Sequence, residues 1–159
     1  MACIGCTSCM SDGMKPYRLS PIRRAINLVV RPLARLGLAG KRTHLLTVPG
    51  RNSRRLYSTP VSLAWLDGER YLVAPYGERN WVKNARAAGW VELRRGSRRE
   101  RIVVEEATLE EAVPVLRDYY RWACVTRQFF EVTLDSSHDD WLTEAPRHPV
   151  FRLGSAPSE

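Results

Sequence analysis

The chain contains no apolar run long enough to cross a bilayer or to form the core of an export signal. We therefore expect a cytoplasmic protein. Acidic residues are scarce, with 17 Asp and Glu against 25 Lys and Arg, which gives a net charge of +8 over 159 residues. Most of the cations are arginines, whose planar guanidinium group binds carboxylates and phosphates in bidentate fashion. The charge predicts an anionic partner: a nucleic acid, an anionic membrane surface or a small polyanionic ligand.

Motifs for hydrolytic and metal-dependent catalysis are missing as well. The sequence has no GxSxG, no HExxH, no phosphate loop ending in GKS or GKT, and no Cys–His arrangement. Its three histidines, His44, His138 and His148, are dispersed. We therefore predict no side chain that acts as nucleophile, general acid or general base. If the protein is an enzyme, a bound cofactor performs the difficult chemistry and the protein positions it.

Cysteine is rare and does not complete a metal site. Cys3, Cys6 and Cys9 have a C-x2-C-x2-C spacing that suits zinc or an iron–sulfur cluster, but no fourth ligand lies nearby. Disulfides are rare in a reducing compartment, and Cys124 falls in a predicted helix. We predict no metal. Residues 1–17 are interpreted as a flexible tail, or as the product of a start codon placed too early.

Residues 20–38 have the pattern of an amphipathic basic helix. Ser20 is a suitable N-cap, Pro21 suits the first helical position, and apolar residues then recur at helical spacing among arginines. Two interpretations remain open. The helix lies on the anionic inner face of a membrane as a weak peripheral contact, or it covers one end of the core with a solvated basic face.

The middle of the chain has the alternation and turn signals of β-hairpins. Asp67-Gly68 is typical of a tight turn between strands at residues 57–65 and 69–74, following a first strand at residues 43–48. A second hairpin turns at Gly96-Ser97, and pairing Arg95 with Arg98 there places Glu92 opposite Arg101. A last strand is predicted at residues 149–153.

Helices are predicted between and after these hairpins. Asn80 is a candidate N-cap for a helix that ends at Gly89, and Thr108 with Glu111 forms a capping box for another. Five or six strands with three or four outer helices indicate a single α+β domain, mainly β, built as a small, partly open barrel.

Two segments carry side chains suited to an anionic, planar ligand. The loop at residues 50–55 reads GRNSRR, and its guanidinium groups, hydroxyl and backbone N–H groups suit phosphate or carboxylate oxygens. Trp81 and Asn84 are three residues apart and share a helix face. Each segment also has an ordinary interpretation: a solvated turn for the loop, and a core anchor with a surface amide for the pair.

The order of these motifs is more specific than any one of them. LLTVPGRNSRRLYSTPV, a DG hairpin, YLVAPYGERNWVKNARAAG, a strand pair and APRHPVFRL together resemble the deazaflavin-dependent nitroreductase and quinone reductase family, which uses coenzyme F420. The resemblance runs from about His44 to Leu153. It implies an FMN-binding-like split β-barrel with peripheral helices over residues 18–154, followed by a loose tail at residues 155–159. It also implies hydride transfer from reduced deazaflavin to a quinone, a nitro compound or an activated double bond.

The resemblance also implies the positions of the site residues. The loop that binds the cofactor's phosphate and tail would comprise Arg51, Asn52, Ser53, Arg54, Arg55, Tyr57, Ser58, Thr59 and Pro60. Contacts with the ring would come from Ala74, Pro75, Tyr76, Gly77, Trp81 and Asn84. The substrate side would be lined by Tyr120, Phe129 and Phe130, for which a plain role as core or lid aromatics is the alternative.

The chain departs from the family pattern at two positions. Arg54 stands where relatives commonly have glycine, and because a residue with a Cβ resists positive φ, we expect the loop to bend differently. Tyr57 stands where relatives often have arginine, so phosphate contacts are expected to shift to Arg55.

Other partners remain open at this stage. A split barrel of this kind could bind FMN or haem instead of the deazaflavin. A nucleic-acid-binding barrel ranks last, because the aromatic residues are not interleaved in sequence with the arginine-rich hairpin. A homodimer is also predicted, since split barrels often pair through their sheets.

Overall fold

Six antiparallel strands form a closed barrel in the computed structural model, which describes residues 42–154. The strand order is β1-β2-β3-β6-β5-β4, and β4 pairs back onto β1, so the predicted partly open barrel is closed. The predicted helix at residues 20–38, the cysteines before it and the tail at residues 155–159 lie outside the described residues. The strands are β1 (Thr43–Pro49), β2 (Leu56–Leu66), β3 (Glu69–Val73), β4 (Trp90–Arg95), β5 (Arg98–Glu106) and β6 (Val150–Leu153).

The two predicted hairpins fix the register of four strands. Asp67 and Gly68 both have positive φ, at 51° and 84°, which is the geometry of the tight turn that the DG pair favours. Leu66 pairs with Glu69 across that turn. In the second hairpin Arg95 pairs with Arg98 and Glu92 lies opposite Arg101, so both predicted registers are confirmed.

The barrel interior is filled by apolar side chains from every strand and by one face of helix α1 (Asn80–Ala88). Val82 and Ala85 of α1 are fully buried there. The helix is capped by Arg79 and not, as predicted, by Asn80, which is its first helical residue. Gly89 ends it in the left-handed conformation, with φ of 70°.

A second hydrophobic layer lies outside the barrel, against β2, β3 and β6. It consists of α2 (Leu109–Trp122), α3 (His138–Glu144) and two 3-10 helices (Cys124–Phe129 and Ala145–Arg147). The capping box between Thr108 and Glu111 is confirmed, and Cys124 is exposed. None of the helices among residues 42–154 is both long enough and apolar enough to cross a membrane.

A buried pair of hydrogen-bonded side chains links α3 to the segment that leads into β6. Glu144 and His148 are each 3% exposed, and Nε2 of His148 lies 2.9 Å from Oε1 of Glu144. The Glu131 N–H donates to the same oxygen at 3.0 Å, and Arg147 approaches the other. Burial raises the pKa of Glu144, but the hydrogen bonds from His148 and Glu131 and the charges around it outweigh burial, so the net pKa is lowered.

Glu144→Gln should lower the free energy of unfolding at neutral pH by about 1.5–3 kcal/mol, the usual value of hydrogen bonds to a charged group. The folded pKa lies below the reference value of 4.5, so this stabilisation is complete above that value and is lost as pH falls through the folded pKa. Urea denaturation at pH 7 and at pH ~3.5 should show the wild-type advantage shrinking in acid. Glu110→Gln, on the exposed side of α2, serves as the control. A wild-type advantage that does not change with pH would contradict this account.

Candidate functional site

The loop between β1 and β2 is closed by its own backbone. The Gly50 N–H donates to the Arg55 carbonyl and the Arg54 N–H donates to the Gly50 carbonyl, both at 2.8 Å. A Cβ on Gly50 would lie 2.6 Å from Cε2 of Tyr57 and 2.8 Å from Oγ of Ser53. A Cβ here would displace the Tyr57 ring or the Ser53 hydroxyl from its present position. The Ser53 and Tyr57 hydroxyl oxygens are 3.2 Å apart.

Arg54 adopts the left-handed conformation that it was expected to avoid. Its φ is 54°, so Arg54 takes the left-handed backbone geometry that favours glycine. The two hydrogen bonds that close the loop hold the backbone there despite the Cβ. A left-handed residue with a Cβ costs roughly 1–2 kcal/mol relative to the right-handed region. The loop therefore carries local backbone strain at Arg54.

The loop is bonded directly to α1. The Arg51 backbone N–H and its Nη1 both donate to Oδ1 of Asn84, at 3.2 and 3.1 Å. Asn84 is only 5% exposed, so it is a buried amide and not the surface amide of the alternative interpretation. The two segments singled out in the sequence thus meet across 33 residues of chain.

The loop also holds cations that no other described residue neutralises. Among residues 42–154, the side chains of Arg54 and Arg55 have neither an ion-pair partner nor a side-chain hydrogen bond. The cations of α1, by contrast, are paired. Lys83 lies 3.0 Å from Glu78, which also pairs with Arg86. Nε of Arg86 lies 2.6 Å from Glu106. These ion pairs lower the pKa of Glu78 and raise that of Arg86. On this side of the barrel, the loop therefore offers guanidinium groups that are available to an anionic ligand.

Residues 74–77 form a turn between β3 and α1. The Ala74 N–H donates to the Pro149 carbonyl at 2.9 Å, and the Gly77 N–H donates to Ala74 at 3.0 Å, with Gly77 at φ of 78°. Ala74 and Pro75 are buried, whereas Tyr76 is 38% exposed. The chain then enters α1 after two residues. The first helical turn of α1 contains no acidic residue.

Trp81 lies at the border between this site and the core. Its ring is half-buried, packs against the barrel cluster and lies 6.0 Å from the ring of Phe151. Asn52 is exposed on the loop. Ser58, Thr59 and Pro60 pair with β1 in register, and Oγ of Ser58 lies 2.8 Å from Oγ1 of Thr47.

The three predicted substrate-facing aromatics separate into two groups. Phe129 packs edge-on against Tyr76, with ring centroids 4.9 Å apart, so it borders the turn at residues 74–77. Tyr120 and Phe130 pack against Trp141 in the helical layer, and Phe130 is buried, stacking on the ring of His148. Of the three, Phe129 is the one placed beside other predicted site residues.

Tyr119 was not singled out in the sequence but lies in the same region. Burial raises its pKa to about 12, and its phenol lies close enough to Tyr76 for the two to interact electrostatically. Its side chain also hydrogen-bonds Thr126. Tyr119 follows Leu116 by three residues, so helical spacing was the one signal that could have placed it on the buried face of α2.

Two surface grooves, of about 430 and 420 Å³, lie away from this loop. The first lies at the end of the barrel where β1 begins, and the second runs beside β3, β5 and β6. Neither is lined by residues 50–60 or 74–84. In the described part of the chain, no three His, Cys, Asp or Glu side chains are grouped as a metal site.

Comparison with known proteins identifies the fold. No protein-family model and no curated protein matches the chain. A conserved hypothetical protein from Mycobacterium tuberculosis has a TM-score of 0.52 at 14% identity, over 93% of this chain and 87% of its own. A structure described as a domain-swapped dimer has a TM-score of 0.51 at 17% identity, over 85% of this chain and 100% of its own. The chain is a split β-barrel, as predicted. Solved structures of similar fold include an F420-H2-dependent reductase, FDR-A, with a TM-score of 0.49 at 16% identity over 72% of this chain and 95% of its own.

Asn84→Ala should loosen the loop, because it leaves the Arg51 N–H and guanidinium without their shared acceptor. We expect the free energy of unfolding to fall by about 1–3 kcal/mol and the amides of residues 50–55 to exchange faster in hydrogen–deuterium exchange. Asn84→Asp retains both acceptor positions and adds a charge facing Arg51, so the loop should stay protected. Unchanged exchange in Asn84→Ala would show that this contact does not hold the loop.

Arg54→Gly should raise the free energy of unfolding by up to about 1 kcal/mol, because glycine adopts positive φ without strain. The strain relieved exceeds the entropic cost of ordering the more flexible glycine backbone on folding. Arg55→Gly is the matched control: it removes the same charge at a position without positive φ, and it should destabilise. Chemical denaturation of both variants measures the difference. A lower stability for Arg54→Gly than for Arg55→Gly would contradict the strain.

Proposed function

We propose that the chain is an oxidoreductase that uses reduced coenzyme F420 to transfer hydride to an organic acceptor: a quinone, a nitro compound or an activated double bond. One observation carries the proposal. The hydrogen bonds from Arg51 to Asn84 join the two sequence segments that resemble the deazaflavin family. They do so beside guanidinium groups that no carboxylate among the described residues neutralises.

The anionic part of the cofactor would bind the loop. A phosphate and an oligoglutamate tail offer several acceptor oxygens, and Arg51, Arg54, Arg55 and the Ser53 hydroxyl are the donors available for them. Lys83 and Arg86 are already paired with Glu78 and Glu106. The donor set therefore fits the group, and the loop is where its negative charge would be held.

The planar part of the cofactor would lie along residues 74–77 and α1. Trp81 would support the ring system from the core side. Asn84 is already bonded to Arg51 and would fix the distance between the ring system and the loop. Tyr76 and Phe129 would border the acceptor with the edge-on pair of rings that they form. When bound, the deazaflavin supplies the hydride.

The chain's own contribution to the reaction is position and shielding. No acid, base or nucleophile is needed for direct hydride delivery, which agrees with the missing catalytic motifs; what is needed is close approach and exclusion of water. The hydrogen bonds between Arg51 and Asn84 bring the loop and α1 together. Exposed apolar side chains lie beside the loop and α1: Leu56, Tyr57 and Tyr76. A second copy of the chain would most favourably bind over this surface. The homodimer stays a prediction.

The test is a parallel binding titration with reduced and oxidised coenzyme F420, FMN and haem. We expect the deazaflavin to bind most tightly and the Arg51→Ala/Arg55→Ala variant to bind it at least about 100-fold more weakly, since each charged contact contributes about 1.5–3 kcal/mol. Arg94→Ala/Arg99→Ala removes the same charge from the distant β4–β5 hairpin and should bind normally.

Unchanged deazaflavin affinity in the folded loop variant would remove Arg51 and Arg55 from the cofactor site. Tighter binding of FMN or haem by the wild-type protein would assign the barrel to one of those cofactors instead.

A further inference from the structure

The groove of about 430 Å³ opens at the mouth of the barrel, at the end opposite the loop. Leu93, which is 1% exposed and belongs to the barrel core, forms its floor, and the β4–β5 hairpin forms one side. The mouths of β-barrels are favoured ligand sites, and pockets for small molecules typically measure roughly 300–1,000 Å³. β1 has seven residues, and at ~3.3 Å per residue its two ends lie about 20 Å apart. The groove is thus separate from the loop.

The charge in this groove is positive and partly unpaired. Arg70 pairs with Glu100 at 2.6 Å, which neutralises the one carboxylate that lines it. In the part of the chain that the structure describes, Arg95 and Arg98 have no ion-pair partner and no side-chain hydrogen bond. The Ser97 hydroxyl lies in the turn between them. Two guanidinium forks and a hydroxyl match the three terminal oxygens of a phosphate monoester better than the two of a carboxylate.

The other side of the groove is aromatic. Trp65 is 37% exposed and lies beside His44, with ring centroids 6.5 Å apart, while the Arg42 guanidinium lies 5.6 Å from the Trp65 ring. The pKa of His44 is lowered, mainly by burial and also by the charges of Arg95 and Arg70. The hydrogen bond to Arg42 and the charge of Glu100 raise it by less.

The neutral ring of His44 leaves one hydrogen-bond acceptor in the groove. Nδ1 of His44 donates to the Arg42 carbonyl at 3.2 Å. In the neutral imidazole Nε2 is then the acceptor. An indole ring beside such an acceptor suits a flat heteroaromatic group that carries an N–H donor.

We propose that the barrel mouth binds a small aromatic phosphate of mononucleotide size, with its ring against Trp65 and His44 and its phosphate held by Arg95, Ser97 and Arg98. This site is independent of the proposed deazaflavin site. The two sites use different residues at opposite ends of β1, so either can fail without the other.

Calorimetric titration at low salt with adenosine 5′-monophosphate, adenosine and inorganic phosphate tests whether the site binds both the ring and the phosphate of the ligand. We expect the nucleotide to bind, and adenosine and phosphate to bind at least about tenfold more weakly, because each lacks one half of the contacts. Failure of the nucleotide to bind at millimolar concentration, or equal binding of phosphate alone, would overturn the proposal.

Variants of the hairpin test the placement. Arg98→Ala and Trp65→Ala should each weaken nucleotide binding at least about tenfold, whereas Arg99→Ala, one residue along and outside the groove lining, should stay within about twofold. Arg51→Ala/Arg55→Ala should bind the nucleotide normally. Equal losses in Arg98→Ala and Arg99→Ala would show non-specific attraction to a basic hairpin. That result, together with tighter binding of a single-stranded oligonucleotide than of the mononucleotide, would refute a built site.

Discussion

The amide of Asn84 is the contact on which the organisation of the candidate site depends. It accepts from both the backbone and the side chain of Arg51, and it is buried against the barrel. Without this acceptor, the loop at residues 50–55 would lose both hydrogen bonds to α1 and keep its internal ones. With it, the cationic loop keeps a fixed position relative to α1, Trp81 and the turn at residues 74–77. The proposed cofactor site requires that fixed relation, because one ligand must reach both parts.

Unpaired cations lie at both ends of the barrel. Along α1 and beside β5, arginines are paired with glutamates, as Arg86 is with Glu106 and Arg152 is with Glu105. In the described part of the chain, the guanidinium groups without such partners include Arg54 and Arg55 at one end and Arg95 and Arg98 at the other. These two groups give a local positive field at each end of the barrel, and each field lies beside a different aromatic surface. This distribution favours small anionic ligands over a continuous track along the surface.

Structural features that depend on neighbouring residues were predicted well from the sequence. Features that depend on contacts between distant residues were not. The Asp67-Gly68 turn, the register of the second hairpin and the Thr108 capping box depend on neighbouring residues, and each was predictable. The positive φ of Arg54 is unexpected for a residue with a Cβ, and it depends on the two backbone bonds that close the loop. The burial of Asn84 and the approach of Tyr119 to Tyr76 depend on packing between distant segments, which no spacing reveals. The sequence also separates the aromatics from the arginine-rich hairpin, whereas folding places Trp65 in one groove with Arg95 and Arg98 and Trp90 under Arg101.

The central claim is that one anionic, planar cofactor binds the loop and α1 together. Hydrogen–deuterium exchange of the full chain, with and without coenzyme F420, tests it most directly. The account predicts that the cofactor slows exchange at residues 50–55 and at residues 74–84 in parallel, and that exchange at the hairpin turn at residues 95–98 is unchanged. Protection confined to the hairpin, or no protection at either segment under saturating cofactor, would contradict it.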